Sequence, residues 1–334
     1  MTGYQRYCAM LKGDPVDHLP RVPILMQYAA EYIGCDYAAF ASDHNVLVDA
    51  NLAIAQDFGM DQVSTISDPY RETQGFGSEI EYLTDAPPRS SHPLADNPDL
   101  SLLPNPDPLS SVRMRDRVEA VRKYKQICDD QYSILGWVEG PAAEAADLRD
   151  VSTFMMDLMD DEVYAGKLMD RCVQVAIEFA KAQVDSGADT IGVGDAVASQ
   201  VSADIYERLI LPREKQLISA IQSMGAFVRI HICGNITHLL PGIATLHVDI
   251  LDVDHLADIK QVRQIVGQKV CLAGNIDPVN GVLHGSPESI QQYIKQTYDA
   301  VGNPYFVNAG CEIPSGTPVE NLKALCKPVT YHAS

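Results

Sequence analysis

The stretch "FVRIHICGNITHLL" (227–240) decides how the rest of the chain reads. Its opening run, "FVRIHI" (227–232), is rich in Val and Ile and suits a strand buried on both faces, as in a parallel sheet. The run finishes in His231 and Cys233, and Gly234 follows at once. A buried strand that ends in such side chains and then gives way to a loop is the unit from which α/β barrels are made.

Working outward, seven further runs have the same character. They are "RVPILM" (21–26), "QVSTIS" (62–67), "SILGWV" (133–138), "DTIGVG" (189–194), "VDILDV" (248–253), "KVCLAG" (269–274) and "YFVNAG" (305–310). Amphipathic helical patterns lie between them, clearest at 116–130, 161–187, 203–225 and 286–302. The second ends at Gly187, a C-cap signal. Pro212 interrupts the third. The fourth opens with Ser286 as N-cap and Pro287 as first helical residue. Eight such units predict an α/β fold, a (β/α)8 TIM barrel, with residues 1–334 as one domain. A doubly wound sheet is the rival, but no GxGxxG opens an early helix. Residues 68–112, dense in proline toward their end, read as an extended insertion after the second strand, with a small β-hairpin near "SEIEYLTDAP".

The 334 residues carry 25 basic and 45 acidic side chains, a formal net charge of −20. Such a surface repels nucleic acid and anionic lipid. No apolar run reaches the roughly 20 residues that cross a bilayer. The expected location is the cytoplasm, where eight cysteines stay reduced and serve as core filler, metal ligands or reactive thiols.

In a barrel the chemistry collects where strands finish. The predicted strand ends carry Ser67 and Asp68, Glu139, Asp195, His231 and Cys233, Asp252 and Asp254, Asn275 and Asp277, and Cys311. Asp or Asn after a strand is equally a turn or capping residue, but Cys is not a turn former. His231, Cys233 and Cys311 belong to the fifth and eighth strand ends, so they can meet at one mouth. One imidazole and two thiolates suit Zn²⁺ and leave a fourth position open. Gly234 and Gly310 would let the backbone approach the ion. Spacing alone leaves open a buried His with two inert thiols. Cys172 and Cys271 read as core, and Cys8, Cys35, Cys128 and Cys326 have no His or Cys partner at ligand spacing. His238 is a candidate neighbour of the site.

At these residues the chain resembles the uroporphyrinogen decarboxylase superfamily, and within it the methylcobamide:coenzyme M methyltransferase branch. The resemblance runs through "LKGDPVDHLPRVPI", "VEGPAAEAADL", "GADTIGVGDAVAS", "HICGN", "LAGNIDP" and "AGCEIPSGTPVENLKAL". It implies a zinc ion on His231, Cys233 and Cys311, and methyl transfer between a corrinoid (methylcobamide) supplied by a partner corrinoid protein and a small thiol such as coenzyme M. Zinc would hold the thiol as a thiolate nucleophile. Glu139 and Asp195 are then catalytic candidates lining the mouth. Asn275 and Arg71 are substrate-binding candidates, Arg71 for a sulfonate. A homodimer is allowed. Where true uroporphyrinogen decarboxylases carry an arginine-bearing segment, "MQYAAEY" has Gln27 and Glu31, so tetrapyrrole carboxylates would meet no guanidinium there. The alternatives are another activity on this fold, or a non-catalytic zinc barrel within a corrinoid methyltransferase system.

Overall fold

In a computed structural model, which describes residues 1–333, nine strands form. They are β1 (Gln62–Ser64), a hairpin of β2 (Ile80–Glu81) and β3 (Arg89–Ser90), β4 (Ser133–Glu139), β5 (Thr190–Gly194), β6 (Phe227–His231), β7 (Ile250–Val253), β8 (Cys271–Gly274) and β9 (Tyr305–Phe306). All but the hairpin pair in parallel, in the order β1-β4-β5-β6-β7-β8-β9. This is the predicted TIM barrel, with one strand reduced to a single bridge. Arg21 bridges Val307, and the Val307 N–H donates to Pro20 O at 2.8 Å. On the other side the Asp61 N–H donates to Arg21 O at 2.9 Å. The ring therefore closes through residues 20–22. The expected run 21–26 goes no further as a ladder because Pro20 and Pro23 flank the bridge and have no N–H to give.

Long helices cross between the strands and cover the outside, among them Val112–Cys128, Glu162–Ser186 and Pro287–Val301. Ser286 caps the last of these, with Pro287 in its first turn. Gly187 closes Glu162–Ser186 at φ 118°, a left-handed position that a side chain would strain. The helical stretch with Pro212 survives by widening. A π-turn at Tyr206–Ile210 precedes Leu211–Ser223, so Pro212 falls in a first turn where no N–H is needed.

Alternation along each strand sends every second residue inward. Ile24, Ile66, Leu135 and Trp137 make a small apolar plug inside the ring. The larger core lies between the ring and its helices. Asp68 and Pro69, which begin the insertion, belong to the wall of the mouth, and the expected hairpin is present at Ile80–Glu81 and Arg89–Ser90.

Candidate active site

Three inward positions in succession, Arg229, His231 and Cys233, follow the alternation of β6 and the residues after it. His231 pairs laterally with Gly194 of β5 and Asp252 of β7. Gly234 then turns the chain at φ 96°, and its N–H donates to Asp254 Oδ2 at 2.8 Å. That answers why a glycine follows the cysteine: a left-handed turn aims Cys233 back over the ring. Cys311 arrives from beyond β9. At Gly310 a Cβ would lie 2.4 Å from the His255 backbone nitrogen, so this glycine lets two loops pass closely.

The three side chains meet. His231 Nε2 lies 3.1 Å from Cys233 Sγ, which lies 4.0 Å from Cys311 Sγ. For a tetrahedral Zn²⁺ with ordinary bond lengths, N···S and S···S separations of about 3.6 and 3.8 Å are expected. The set fits such an ion in donor chemistry and in spacing. The two sulfurs are not bonded, and all eight cysteines are free.

Behind His231 stands a fixed carboxylate. Asp252 Oδ2 is 3.6 Å from His231 Nδ1, a buried ring nitrogen with no hydrogen-bond partner among the described residues. Arg229 grips the same oxygen from Nη2 at 2.7 Å and Nε at 3.1 Å, while Asn308 Nδ2 donates to Oδ1 at 2.7 Å. Metal-bound histidines are commonly oriented by a carboxylate in this place.

The three groups perturb one another strongly. The hydrogen bond with Cys233 pulls the Cys311 thiol well below the usual thiol range, against its burial. Cys233 is pushed far up, by that same bond and then by burial. Burial disfavours a charged His231, but its bond to Cys311 and the charges of Asp252 and Cys311 outweigh this and raise it to about 9.

A cavity of about 140 Å³ opens over the sulfurs. Its wall is mostly apolar, with Ile24, Met26, Ile66, Pro69 and Trp137, and three carboxyl groups, Asp68, Glu139 and Glu312, interrupt it. Asp68 is held ionised by Arg113, whose Nη2 and Nη1 donate at 2.6 and 2.7 Å. Glu139, at the end of β4, takes bonds from Arg71 Nη2 at 2.6 Å and Trp137 Nε1 at 3.0 Å, and burial pushes its carboxyl well above the usual range. Glu312 accepts from the Gln27 N–H at 2.9 Å, and burial raises it to about 7.

Of the residues singled out in the sequence, His231, Cys233, Cys311, Glu139 and Asp68 come together at this cavity. Asp195, Asn275, Arg71 and His238 do not. Asp195 is fully buried and turns away from the cavity. Its oxygens accept from the Ala143 and Ala142 N–H groups at 2.7 and 3.4 Å, capping the helix Pro141–Arg149. Asn275 spends its amide on the carbonyls of Asp254 and Ala257, at 3.1 and 2.8 Å, and receives the Tyr293 hydroxyl at 3.0 Å. It locks a loop and does not line the mouth. Arg71 is fully buried behind Glu139, out of the cavity wall. His238 contacts the Val201 carbonyl at 2.9 Å, away from the sulfurs. Missed in the sequence were Arg229, whose signal was a charge inside an apolar strand, and Glu312, beside Cys311. Met26 and Trp137 gave no signal beyond apolarity.

The family profile "Uroporphyrinogen decarboxylase (URO-D)" matches residues 2–332. A methylcobamide:CoM methyltransferase, MtbA of Methanosarcina mazei, is 29% identical over 336 residues, covering 97% of each chain. A uroporphyrinogen decarboxylase of Trichodesmium erythraeum is 25% identical over 339 residues, covering 95% of this chain and 94% of its own. Among solved structures, a methyltransferase from Methanosarcina mazei superposes with a TM-score of 0.89 at 26% identity, covering 97% of both chains. The profile match over almost every residue, together with the barrel and its sulfur-lined mouth, makes this chain a member of the uroporphyrinogen decarboxylase family.

Proposed function

We propose that this protein is a methyltransferase that moves a methyl group between a corrinoid, presented by a partner protein, and the sulfur of a small thiol. The observation that carries the reading is the convergence of His231, Cys233 and Cys311 under an open, largely apolar cavity. The similarity to methylcobamide:CoM methyltransferases supports it. A zinc ion held by these three residues would supply an open coordination position at which a thiol loses its proton yet keeps its nucleophilicity.

The protein's own residues do the rest. Cys233 and Cys311, as thiolates, keep the site electron-rich. Hydrolytic zinc sites use more nitrogen and oxygen ligands. Asp252, clamped by Arg229, sets the imidazole plane of His231. The apolar walls exclude water around the reacting sulfur, and the mouth faces outward to meet the donor. The reading takes residues 1–334 as one working unit in the cytoplasm, with no nucleic-acid or membrane partner. Among the described residues no helix is long and apolar enough to cross a membrane.

Decarboxylation of a polycarboxylate is disfavoured by the same mouth. Among the described residues no Arg or Lys lines it, and Gln27 and Glu31 are engaged elsewhere, on Asp85 O and the Ser315–Gly316 turn. The test is anaerobic incubation of zinc-loaded protein with methylcobalamin, or with a methylated corrinoid protein, and a panel of thiols. Loss of the methylcobalamin absorbance with growth of the Co(I) signal is expected. No demethylation with any thiol, even with the cognate corrinoid protein, would leave the zinc-barrel alternative.

A further inference from the structure

The cavity holds a second piece of information, about the acceptor's far end. No Arg or Lys side chain lines it among the described residues, while Asp68, Glu139 and Glu312 do. The nearest cations are spent on those acids: Arg113 on Asp68 with two bonds, and Arg71 on Glu139. Resting on the methyltransferase reading, we propose that the acceptor is a small thiol with an uncharged, mainly alkyl tail, and that Glu139 is the residue that excludes anionic-tailed thiols such as coenzyme M.

The argument is one of placement and charge. A thiol whose sulfur reaches His231, Cys233 and Cys311 must lay its tail against Ile66, Pro69 and Trp137. Those surfaces reward alkyl groups at about 25 cal/mol per Å² of apolar area removed from water. A sulfonate on that wall would leave its hydration shell beside Asp68, with no free guanidinium or ammonium among the described lining residues to receive it. Arg71 is the one guanidinium that could answer it. Among the described residues its Nε and Nη1 have no hydrogen-bond partner, and Nε faces Glu72 Oε2 at 3.8 Å. Yet Arg71 is fully buried, and Glu139 stands between it and the cavity. Glu139 thus withholds the guanidinium from an anion, by occupying it and by lining the cavity in its place. Selectivity obtained by leaving the wrong ligand's charge unpaired is a common device.

The test measures binding and turnover side by side. Ethanethiol, 2-mercaptoethanol, cysteamine and coenzyme M are titrated calorimetrically into the zinc-loaded full-length protein, and each is assayed as acceptor from methylcobalamin. The uncharged thiols should exceed coenzyme M by about tenfold or more in affinity and in kcat/KM. In Glu139→Ala, which uncovers Arg71, the coenzyme M to ethanethiol affinity ratio should rise by about tenfold or more. If that variant does not fold, Met26→Arg, which brings a cation to the same wall, should raise the ratio in the same direction. Coenzyme M bound as well as ethanethiol by the wild type, cysteamine preferred over every uncharged thiol, or an unchanged ratio in the folded variant would each overturn the inference and leave the methyltransferase reading intact. If no thiol binds or reacts at all, that reading fails and the inference falls with it.

Discussion

The two sides of the barrel mouth are built by the same device, inward residues at strand ends, yet they differ in how their polar atoms are satisfied. On the carboxylate side each acid is matched: Asp68 by Arg113, Glu139 by Arg71 and Trp137, Glu312 by a backbone N–H. On the sulfur side two thiols and an imidazole crowd together, and His231 Nδ1 has no hydrogen-bond partner among the described residues. A folded protein tolerates such a cluster where a ligand completes it. The contrast teaches that one wall is finished by the chain itself, while the other has the donor set that the proposed ion would complete.

Removing a sulfur should have the largest effect. Cys311→Ser is expected to lose most bound zinc, read by elemental analysis, and to cut methyl transfer by several orders of magnitude. The fold should persist, because Cys311 is only half-buried and Ser is close to it in size. Retention of full zinc would erase the distinction between the two walls.

The pH dependence of zinc affinity comes next. The ion needs neutral His231 and two thiolates. Cys311, pulled well below the usual thiol range, is the ligand expected to need no deprotonation. His231 at about 9 and the raised Cys233 must each give up a proton. Binding below pH 9 therefore releases two protons, and affinity should rise with pH by about a hundredfold per unit, easing to about tenfold per unit above it. Competition with a chelator across pH 6.5–9.5 measures the slope, after correction for the chelator's own protonation. A flat profile would mean the three groups are not the ligands.

Asp252→Asn keeps the bonding shape but removes the charge facing His231. Metal affinity should fall by about 10–100-fold, with the Arg229 contact left partly unpaired and stability lowered. Smallest of all is Asn275→Ala. It should cost about 1–3 kcal/mol of stability by stranding the Asp254 and Ala257 carbonyls, seen as a lower denaturant midpoint. Methyl transfer per folded molecule should be almost unchanged. A selective loss of activity there would put Asn275 back at the mouth.

The ring of strands was legible because residues buried on both faces leave continuous Val/Ile-rich runs, and such runs are hard to mistake. The first strand was overread because apolarity was weighed and the missing N–H groups of Pro20 and Pro23 were not. His231, Cys233 and Cys311 were legible because they fall at predicted strand ends and Cys is not a turn former. Asp195 and Asn275 show where such reading stops. Both sit at strand ends, but a strand end has two sides, and only the folded chain shows that Asp195 turns to the Ala142 and Ala143 N–H groups and Asn275 to a neighbouring loop. Arg71, expected in the loop after the second strand, begins the short helix Arg71–Gly75. Its burial behind Glu139 depends on a contact between residues 68 positions apart, which no local pattern encodes.

X-ray absorption at the zinc edge, recorded on the purified protein before and after ethanethiol, tests the central claim most directly. The account predicts one zinc per chain with two sulfur and one nitrogen protein ligands, rising to three sulfurs when the thiol is added. Zinc absent, or a sulfur shell unchanged by the thiol, would contradict it.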